Sequence, residues 1–333
     1  MQKVSGAADQ RRAQLEDWLV RLGVSHDGLE PASSDASFRR YFRLRTPDGS
    51  RIVMDAPPPQ EDCRPFVRVA GMMHAAGLHV PQVLAQDLER GFLLLTDLGR
   101  QTYLDVLDQA NAESLYSPAV DALLRWQGAG RPGELPEYDA ALLRRELQLF
   151  PDWYLARHLG LQMEDWEQAL WEAYVERLVN RALNQPQVPV HRDFMPRNLM
   201  ISDPLPGVLD FQDAVYGPVS YDPVCLFMDA FISWSPEQVT GWLEDYWRRA
   251  GEAGVPVPGD RERFLADCRW MGVQRHLKVI GIFARIRHRD GKPRYLEDAD
   301  RFFTYLDVAA AAEPELRDLV DLIRHWRSRG GVA

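Results

Sequence analysis

Cysteine is scarce in this chain: its 333 residues include three, Cys63, Cys225 and Cys268, which lie far apart. They give neither a zinc-binding spacing nor the even-numbered framework of a disulfide-rich domain. The N-terminal stretch MQKVSGAADQRRAQLEDW lacks the apolar core of a secretion signal, and no apolar run approaches the length of a membrane span. We therefore expect a protein of the reducing cytoplasm with no membrane partner.

Positive charge is in deficit as well. Lys and Arg total 39 against 49 Asp and Glu, a formal net charge of −10, which argues against a nucleic-acid partner. The hydrophobic content of 46% is too high for a disordered chain. A chain of this length can form two lobes with a cleft for a small molecule, and no sequence feature indicates an oligomeric state.

The most informative pattern is VHRDFMPRNL, residues 190–199. Asp193 and Asn198 are five positions apart, the interval of the kinase HRDxxxxN loop. A carboxylate at Asp193 can orient the attacking hydroxyl and accept its proton, while an amide oxygen at Asn198 can hold a metal ion. A short apolar strand then ends at Asp210, whose carboxylate suits a Mg²⁺ bridge to nucleotide phosphates. The sequence predicts phosphoryl transfer from ATP, with Asp193 catalytic and Asn198 and Asp210 as metal ligands.

The segment from His191 to Pro223 resembles the catalytic core of the aminoglycoside phosphotransferase-like kinases, small-molecule relatives of protein kinases. The phrases VHRDFMPRNLM, GVLDFQDAVYGPVSYD and QRHLKVIGIFARIRHRDGKPRYL are most similar to bacterial N-acetylmuramate/N-acetylglucosamine anomeric kinases of cell-wall recycling. The resemblance implies an amino-sugar acceptor phosphorylated at its anomeric hydroxyl. It also implies an α+β, two-lobed, protein-kinase-like fold: an N-terminal nucleotide-binding lobe (1–98) with a small antiparallel sheet, and a mostly helical lobe (99–333) with the catalytic loop and acceptor site.

The nucleotide-binding hairpin departs from the kinase pattern. We expect strands at 38–44 and 51–56, but the preceding segment SSDAS has no glycine. Its small side chains, Ser37 among them, could still let backbone N–H groups approach a phosphate, so Ser37 is predicted to contact the nucleotide. The returning strand has no lysine, so Arg39 or Arg40 is predicted to supply that charge. Because strand side chains alternate, only one of the two can face the nucleotide. Two solvated arginines, or anchoring through metal alone, are the alternatives.

Further strands are expected at 80–85 and 92–96, and the chain should cross to the second lobe at Thr96, Asp97 and Leu98. The backbone of such a crossing can bind an adenine edge. The alternative, a core strand followed by a helix cap, accounts for the same residues equally well. Asp222 is expected to have a structural role at a helix N-terminus. Asp213 lies close enough in sequence to the metal segment to contact the metal or the acceptor.

A basic stretch, residues 285–294, stands out in this acidic chain. Arg289 and Lys292 are predicted to bind the carboxylate that distinguishes N-acetylmuramate from N-acetylglucosamine. The alternative is a helix end, with cations that offset the helix dipole and Gly291 as the stop. An aminoglycoside or choline-like acceptor stays open, as does a nucleotide-binding pseudokinase, because the phosphate-binding lysine and glycines are missing.

Overall fold

The computed structural model describes residues 2–32 and 38–331. The strands are β1 Glu30–Pro31, β2 Arg40–Thr46, β3 Gly49–Asp55, β4 Val83–Asp87, β5 Phe92–Thr96, β6 Gln187–Val190, β7 Leu199–Met200, β8 Gly207–Val208 and β9 Val215–Pro218. The α-helices are α1 Gln2–Arg21, α2 Arg64–Ala75, α3 Tyr103–Val106, α4 Ala112–Ala129, α5 Ala140–Leu147, α6 Asp165–Leu183, α7 Tyr221–Phe227, α8 Pro236–Glu252, α9 Arg261–Asp290, α10 Arg294–Glu297, α11 Asp300–Ala312 and α12 Arg317–Arg329. A π-helix spans Phe150–Leu159, and single 3₁₀ turns span Pro196–Asn198 and Pro314–Leu316.

Contacts within the chain define two compact units. The first comprises Met1–Gln101 and Met200–Asp213, and the second comprises Thr102–Leu199 and Ala214–Ala333. The functional division that the sequence places after residue 98 stays a prediction. Across the described ranges 2–32 and 38–331, no helix is long and apolar enough to cross a membrane.

The first unit is built on a five-stranded antiparallel sheet in the order β1-β2-β3-β5-β4. The predicted hairpin is present, with Thr46 opposite Gly49 at its tip. Helix α1 buries Leu15, Trp18 and Leu19 against the sheet, because three-four spacing places them on one face. Leu22, which the same spacing assigns to that face, is 42% exposed beyond the helix end.

The second unit is mostly helical and is organised around α9, a 30-residue helix. The π-helix, α11 and α6 pack on α9. The spacing of residues 138–158 favours one helix, but the chain forms α5 and then the π-helix, which has Pro151 in its first turn. Proline lacks the N–H that a continuous α-helix requires.

Candidate active site

The catalytic loop follows β6, which pairs with β9 so that Val190 lies opposite Val215. The Asn198 side-chain Nδ2 donates to the Asp193 carbonyl oxygen at 2.9 Å, and the Asn198 backbone N–H donates to Met195 O at 2.8 Å. The five-residue interval is therefore the span of a closed turn. Because the amide nitrogen bonds within the turn, the amide oxygen is the end of Asn198 suited to a cation. The structure brings Asp193 and Asn198 together as predicted.

Asp222 supports the start of this loop. Its carboxylate accepts the backbone N–H of His191 at 2.7 Å and that of Arg192 at 3.0 Å. Asp222 is fully buried in the first turn of α7, and burial raises its pKa to about 7, although the two N–H donors favour the ionised form. The predicted structural role of Asp222 is confirmed, and its partner is the catalytic loop.

Two non-glycine residues among those described have a left-handed backbone: Arg192, with φ 76°, and Asp210, with φ 63°. Such a conformation costs on the order of 1–3 kcal/mol and persists only where the surroundings hold it in place. One residue immediately precedes the predicted catalytic carboxylate, and the other is a predicted metal ligand. Backbone strain therefore falls in the two segments that the sequence assigns to phosphoryl transfer.

A buried ionic cluster in the second unit holds Arg192. Its guanidinium pairs with Glu146 of α5, and the same carboxylate lies 2.9 Å from Lys278 Nζ of α9. The Tyr138 hydroxyl donates to Glu146 as well. Burial alone would raise the pKa of Glu146, but Lys278 and Arg192 lower it to about 2. The sequence analysis did not single out Glu146 or Lys278. A signal existed only for Lys278: the segment QRHLK of α9 places four polar residues in an otherwise apolar stretch.

The metal segment belongs to the first unit. Phe211 is fully buried, with its ring centroid 4.8 Å from that of Phe66 in α2. Asp210, just before this anchor, and Asp213, two residues after it, carry exposed carboxylates. Gln212 Nε2 links them by donating to Asp210 Oδ1 at 2.8 Å and to Asp213 Oδ2 at 3.4 Å. An anchored phenylalanine thus fixes the backbone between two surface carboxylates.

The donor chemistry fits Mg²⁺. Mg²⁺ prefers oxygen ligands and takes one or two carboxylates, with water and phosphate oxygens completing its shell. Of the predicted ligands, Asp210 would supply a carboxylate and Asn198 an amide oxygen. No group of three or more His, Cys, Asp or Glu suited to a metal occurs in the part of the chain that the structure describes.

The Arg40 side chain forms an ion pair within the sheet. It lies opposite Asp55 of β3, and its Nε donates to Asp55 Oδ2 at 3.1 Å. Asp55 is fully buried, and Arg11 of α1 pairs with its other oxygen. Removing Arg40 would therefore leave a buried carboxylate with less compensation, which gives Arg40 a structural role.

Arg39 takes a different partner. Its Nε donates to Glu61 Oε2 at 2.9 Å, just before α2. Burial alone would lower the pKa of Arg39, but the negative charges around it, which include Glu61 and Asp213, raise it. Of the two arginines, Arg39 is thus the one in the electrostatic environment of the metal segment. Ser37, predicted to contact phosphate, lies outside the described residues.

A family comparison agrees with this chemistry. A model of the phosphotransferase enzyme family matches residues 28–264. The chain belongs to this family. It is 63% identical to the N-acetylmuramate/N-acetylglucosamine kinase of Pseudomonas aeruginosa, over 95% of this chain and 96% of that protein. The enzyme of that name from Neisseria meningitidis is 44% identical, over 94% of this chain and 95% of the relative. The predicted family is confirmed, and with it the classification as a phosphotransferase.

Solved structures extend the likeness to the fold. Choline kinase LicA from Streptococcus pneumoniae matches with a TM-score of 0.62 at 12% identity, covering 91% of this chain and 99% of LicA. A thermostable mutant of aminoglycoside phosphotransferase APH(4)-Ia matches with a TM-score of 0.59 at 16% identity, covering 90% of this chain and 98% of that chain. At these identities the likeness concerns the fold alone. The predicted α+β, protein-kinase-like fold is confirmed.

In this phosphotransferase, the predicted lobe crossing is fixed by side chains. Asp97 accepts hydrogen bonds from Arg43 Nε at 2.6 Å and Ser50 Oγ at 2.6 Å. Burial alone would raise the pKa of Asp97, but these donors lower it. The Thr96 hydroxyl accepts a backbone N–H at 2.9 Å, and Leu98 is buried. Because these side chains have partners in the first unit, adenine binding here would depend on the backbone, and it stays a prediction.

The basic stretch forms the end of α9. The Arg289 guanidinium donates to Asp290 at 2.7 and 3.0 Å, and Gly291 ends the helix with φ 68°. On the same helix, Arg275 contacts the catalytic loop at Met195. Arg289 is 289 − 275 = 14 residues further on, which is about 21 Å along a helix. The structure does not bring Arg289 and the exposed Lys292 to the loop, and this favours the helix-end explanation. A role for either in substrate binding stays a prediction.

Proposed function

We propose that this phosphotransferase transfers the γ-phosphoryl group of ATP to the anomeric hydroxyl of N-acetylmuramate or N-acetylglucosamine, in cytoplasmic recycling of the cell wall. The observation that carries the proposal is the 63% identity, over 95% of this chain, to an enzyme named for those two sugars. The match covers almost the whole chain, so it spans the predicted acceptor-binding lobe as well as the catalytic loop.

Asp193 orients the anomeric hydroxyl and takes its proton as the phosphoryl group is transferred. An anomeric hydroxyl is more acidic than an ordinary alcohol, so orientation contributes more than base strength. The support of the loop by Asp222 suits this role, because two hydrogen bonds fix the backbone just before Asp193. Asp213 is proposed to contact the acceptor.

Asn198 and Asp210 are proposed to hold Mg²⁺, which, when bound to the nucleotide, neutralises charge on the phosphate oxygens. Arg39 takes the place of the missing lysine as the cation for the phosphates, and its pairing with Glu61 keeps the guanidinium in position. A planar guanidinium suits this task, since it binds phosphate oxygens in a bidentate manner.

The other acceptors have weaker support. The choline and aminoglycoside kinases share the fold with this chain at 12% and 16% identity, which carries no information on the acceptor. For a pseudokinase, the residues of phosphoryl transfer would have to serve binding alone. Asp193, Asn198 and Asp210 are all present, and two of their segments have strained backbone.

A panel of acceptors tests the proposal. ADP release is measured with ATP, Mg²⁺ and each of N-acetylmuramate, N-acetylglucosamine, choline and an aminoglycoside. We expect kcat/KM for at least one amino sugar to exceed that for the other two classes by about a hundredfold or more. Equal rates across the panel, or none above ATP hydrolysis in water, would contradict it.

Asp193→Asn supplies the second arm of this experiment. Turnover should fall by orders of magnitude, while the melting temperature and ATP binding stay close to wild type. The control is Asp245→Asn, the same change at a half-buried residue of α8 that pairs with Arg248 and Arg249 of the same helix. Turnover of Asp193→Asn within about tenfold of wild type would rule out Asp193 as the catalytic carboxylate.

A further inference from the structure

The side chain of Arg192, the residue before Asp193, is mostly buried, with 18% of it exposed. Arg192 extends into the second unit and pairs with Glu146, which is 5% exposed. Lys278 Nζ lies 2.9 Å from Glu146 Oε1, and the Tyr138 hydroxyl donates to Glu146 Oε2. One carboxylate therefore links α5, α9 and the catalytic loop.

The backbone of Arg192 requires such a restraint. Its φ of 76° lies in the left-handed region, which is unfavourable for residues other than glycine because they carry a Cβ atom. Three contacts hold it: Asp222 accepts its N–H at 3.0 Å, its carbonyl accepts from Cys225 Sγ at 3.3 Å, and Glu146 binds its guanidinium. Two of these fix the main chain at the residue, and the third fixes its side chain.

We propose that Glu146 is a positioning residue for phosphoryl transfer, which acts through Arg192 to hold the left-handed backbone that directs Asp193. The proposal rests on the proposed function, because it assigns Glu146 to the reaction at Asp193. Rotation about the φ and ψ angles of Arg192 moves the next residue directly, so loss of the restraint displaces the Asp193 carboxylate. Glu146 is 5% exposed and binds Arg192, Lys278 and Tyr138, so it acts through another residue.

The competing explanation is a purely structural cluster. A carboxylate buried with an arginine and a lysine stabilises the packing of α5 against α9, and its loss leaves uncompensated charge. That explanation predicts a lower melting temperature with kcat unchanged. The positioning role predicts a lower kcat with unchanged KM values, because substrate binding does not require the exact direction of Asp193.

A double-mutant cycle distinguishes the positioning role of Glu146 from a purely structural one. Glu146→Gln and Arg192→Met each remove one side of the ion pair without a large change in volume. We expect each to lower kcat by about tenfold to a hundredfold, with KM for ATP and for the amino sugar within about threefold of wild type. The double variant should lose no more than the larger single loss, since both act through one contact. The proposal would be overturned if the loss of kcat in the double variant equalled the product of the two single losses. It would also be overturned if either folded single variant kept a kcat within about twofold of wild type.

The matched control is Glu176→Gln on α6. Glu176 is an exposed glutamate that also pairs with an arginine, Arg144, at 2.7 and 3.0 Å. It should leave kcat within about twofold of wild type, as expected for a surface ion pair. If Glu146→Gln does not fold, Arg192→Met carries the test alone, because Glu146 then keeps Lys278 and Tyr138 as partners.

The variant Arg192→Gly tests whether Glu146 acts through the backbone conformation of residue 192. Glycine adopts a positive φ without steric cost. The kcat of Arg192→Gly should therefore be at least about fivefold higher than that of Arg192→Met. Adding Glu146→Gln to the glycine variant should change kcat by less than about twofold. Equal kcat for the glycine and methionine variants would overturn the backbone mechanism. A wild-type enzyme that phosphorylates no amino sugar would instead refute the proposed function.

Discussion

Replacing Asp222 with alanine removes the support of the catalytic loop, and the structure sets the size of the effect. The carboxylate is fully buried and accepts two backbone N–H groups, from His191 and Arg192. A buried donor left without an acceptor costs on the order of 1–3 kcal/mol, so two should cost about 2–6 kcal/mol. A domain is typically stable by about 5–15 kcal/mol, so this is a large fraction of the total.

Urea unfolding followed by circular dichroism gives the free energy of unfolding for comparison with this figure. The control is Asp139→Ala, because Asp139 is an exposed N-cap that accepts one N–H, from Leu142, at 2.8 Å. It should cost about 0.5–2 kcal/mol and leave turnover unchanged. Asp222→Ala should also lower kcat. A loss of stability under about 1 kcal/mol for Asp222→Ala would refute the assignment of Asp222 as the support.

Other predictions follow from the same contacts. Asp210→Asn should weaken Mg²⁺-dependent nucleotide binding measured by calorimetry, because an amide oxygen lacks the negative charge; an unaltered Mg²⁺ dependence would contradict this. Arg39→Met should raise KM for ATP, whereas Arg40→Met should lower the melting temperature with KM unchanged; two silent substitutions would favour anchoring by metal alone. The pKa of Glu146 is lowered to about 2 from 4.5, so its stabilisation is present above pH 4.5 and is lost as the pH falls towards 2. This contribution to the free energy of unfolding is on the order of 3 kcal/mol. In Glu146→Gln, the loss of stability between pH 4.5 and pH 2, measured by acid unfolding, should be smaller by about that amount.

Local sequence patterns predicted the parts of the site that are local in structure. The turn from Asp193 to Asn198 closes within itself, so its spacing alone indicates its shape. The same holds for the hairpin of β2 and β3 and for the strand that leads to Asp210. In each case the defining contacts join residues that are close in the chain.

The ionic cluster could not be predicted in this way. Glu146 is 46 positions from Arg192, and Lys278 is a further 278 − 192 = 86 positions on, so no spacing rule connects them. Alternation along a strand predicted that Arg39 and Arg40 diverge, but not which of the two faces the metal segment. That choice depends on strand register, which places Asp55 opposite Arg40. For Arg289, the spacing predicted a helix over about 260–289, close to the observed α9, but it did not show how far the end of that helix lies from the catalytic loop.

Phosphorus NMR of a completed reaction tests the central claim most directly. The enzyme is incubated with ATP, Mg²⁺ and N-acetylmuramate or N-acetylglucosamine, and the coupling between phosphorus and sugar protons is recorded. Our account predicts ADP together with a new phosphomonoester coupled to the anomeric proton, and no such signal with Asp193→Asn. A phosphate on another carbon, ADP without any phosphosugar, or full conversion by Asp193→Asn would contradict it.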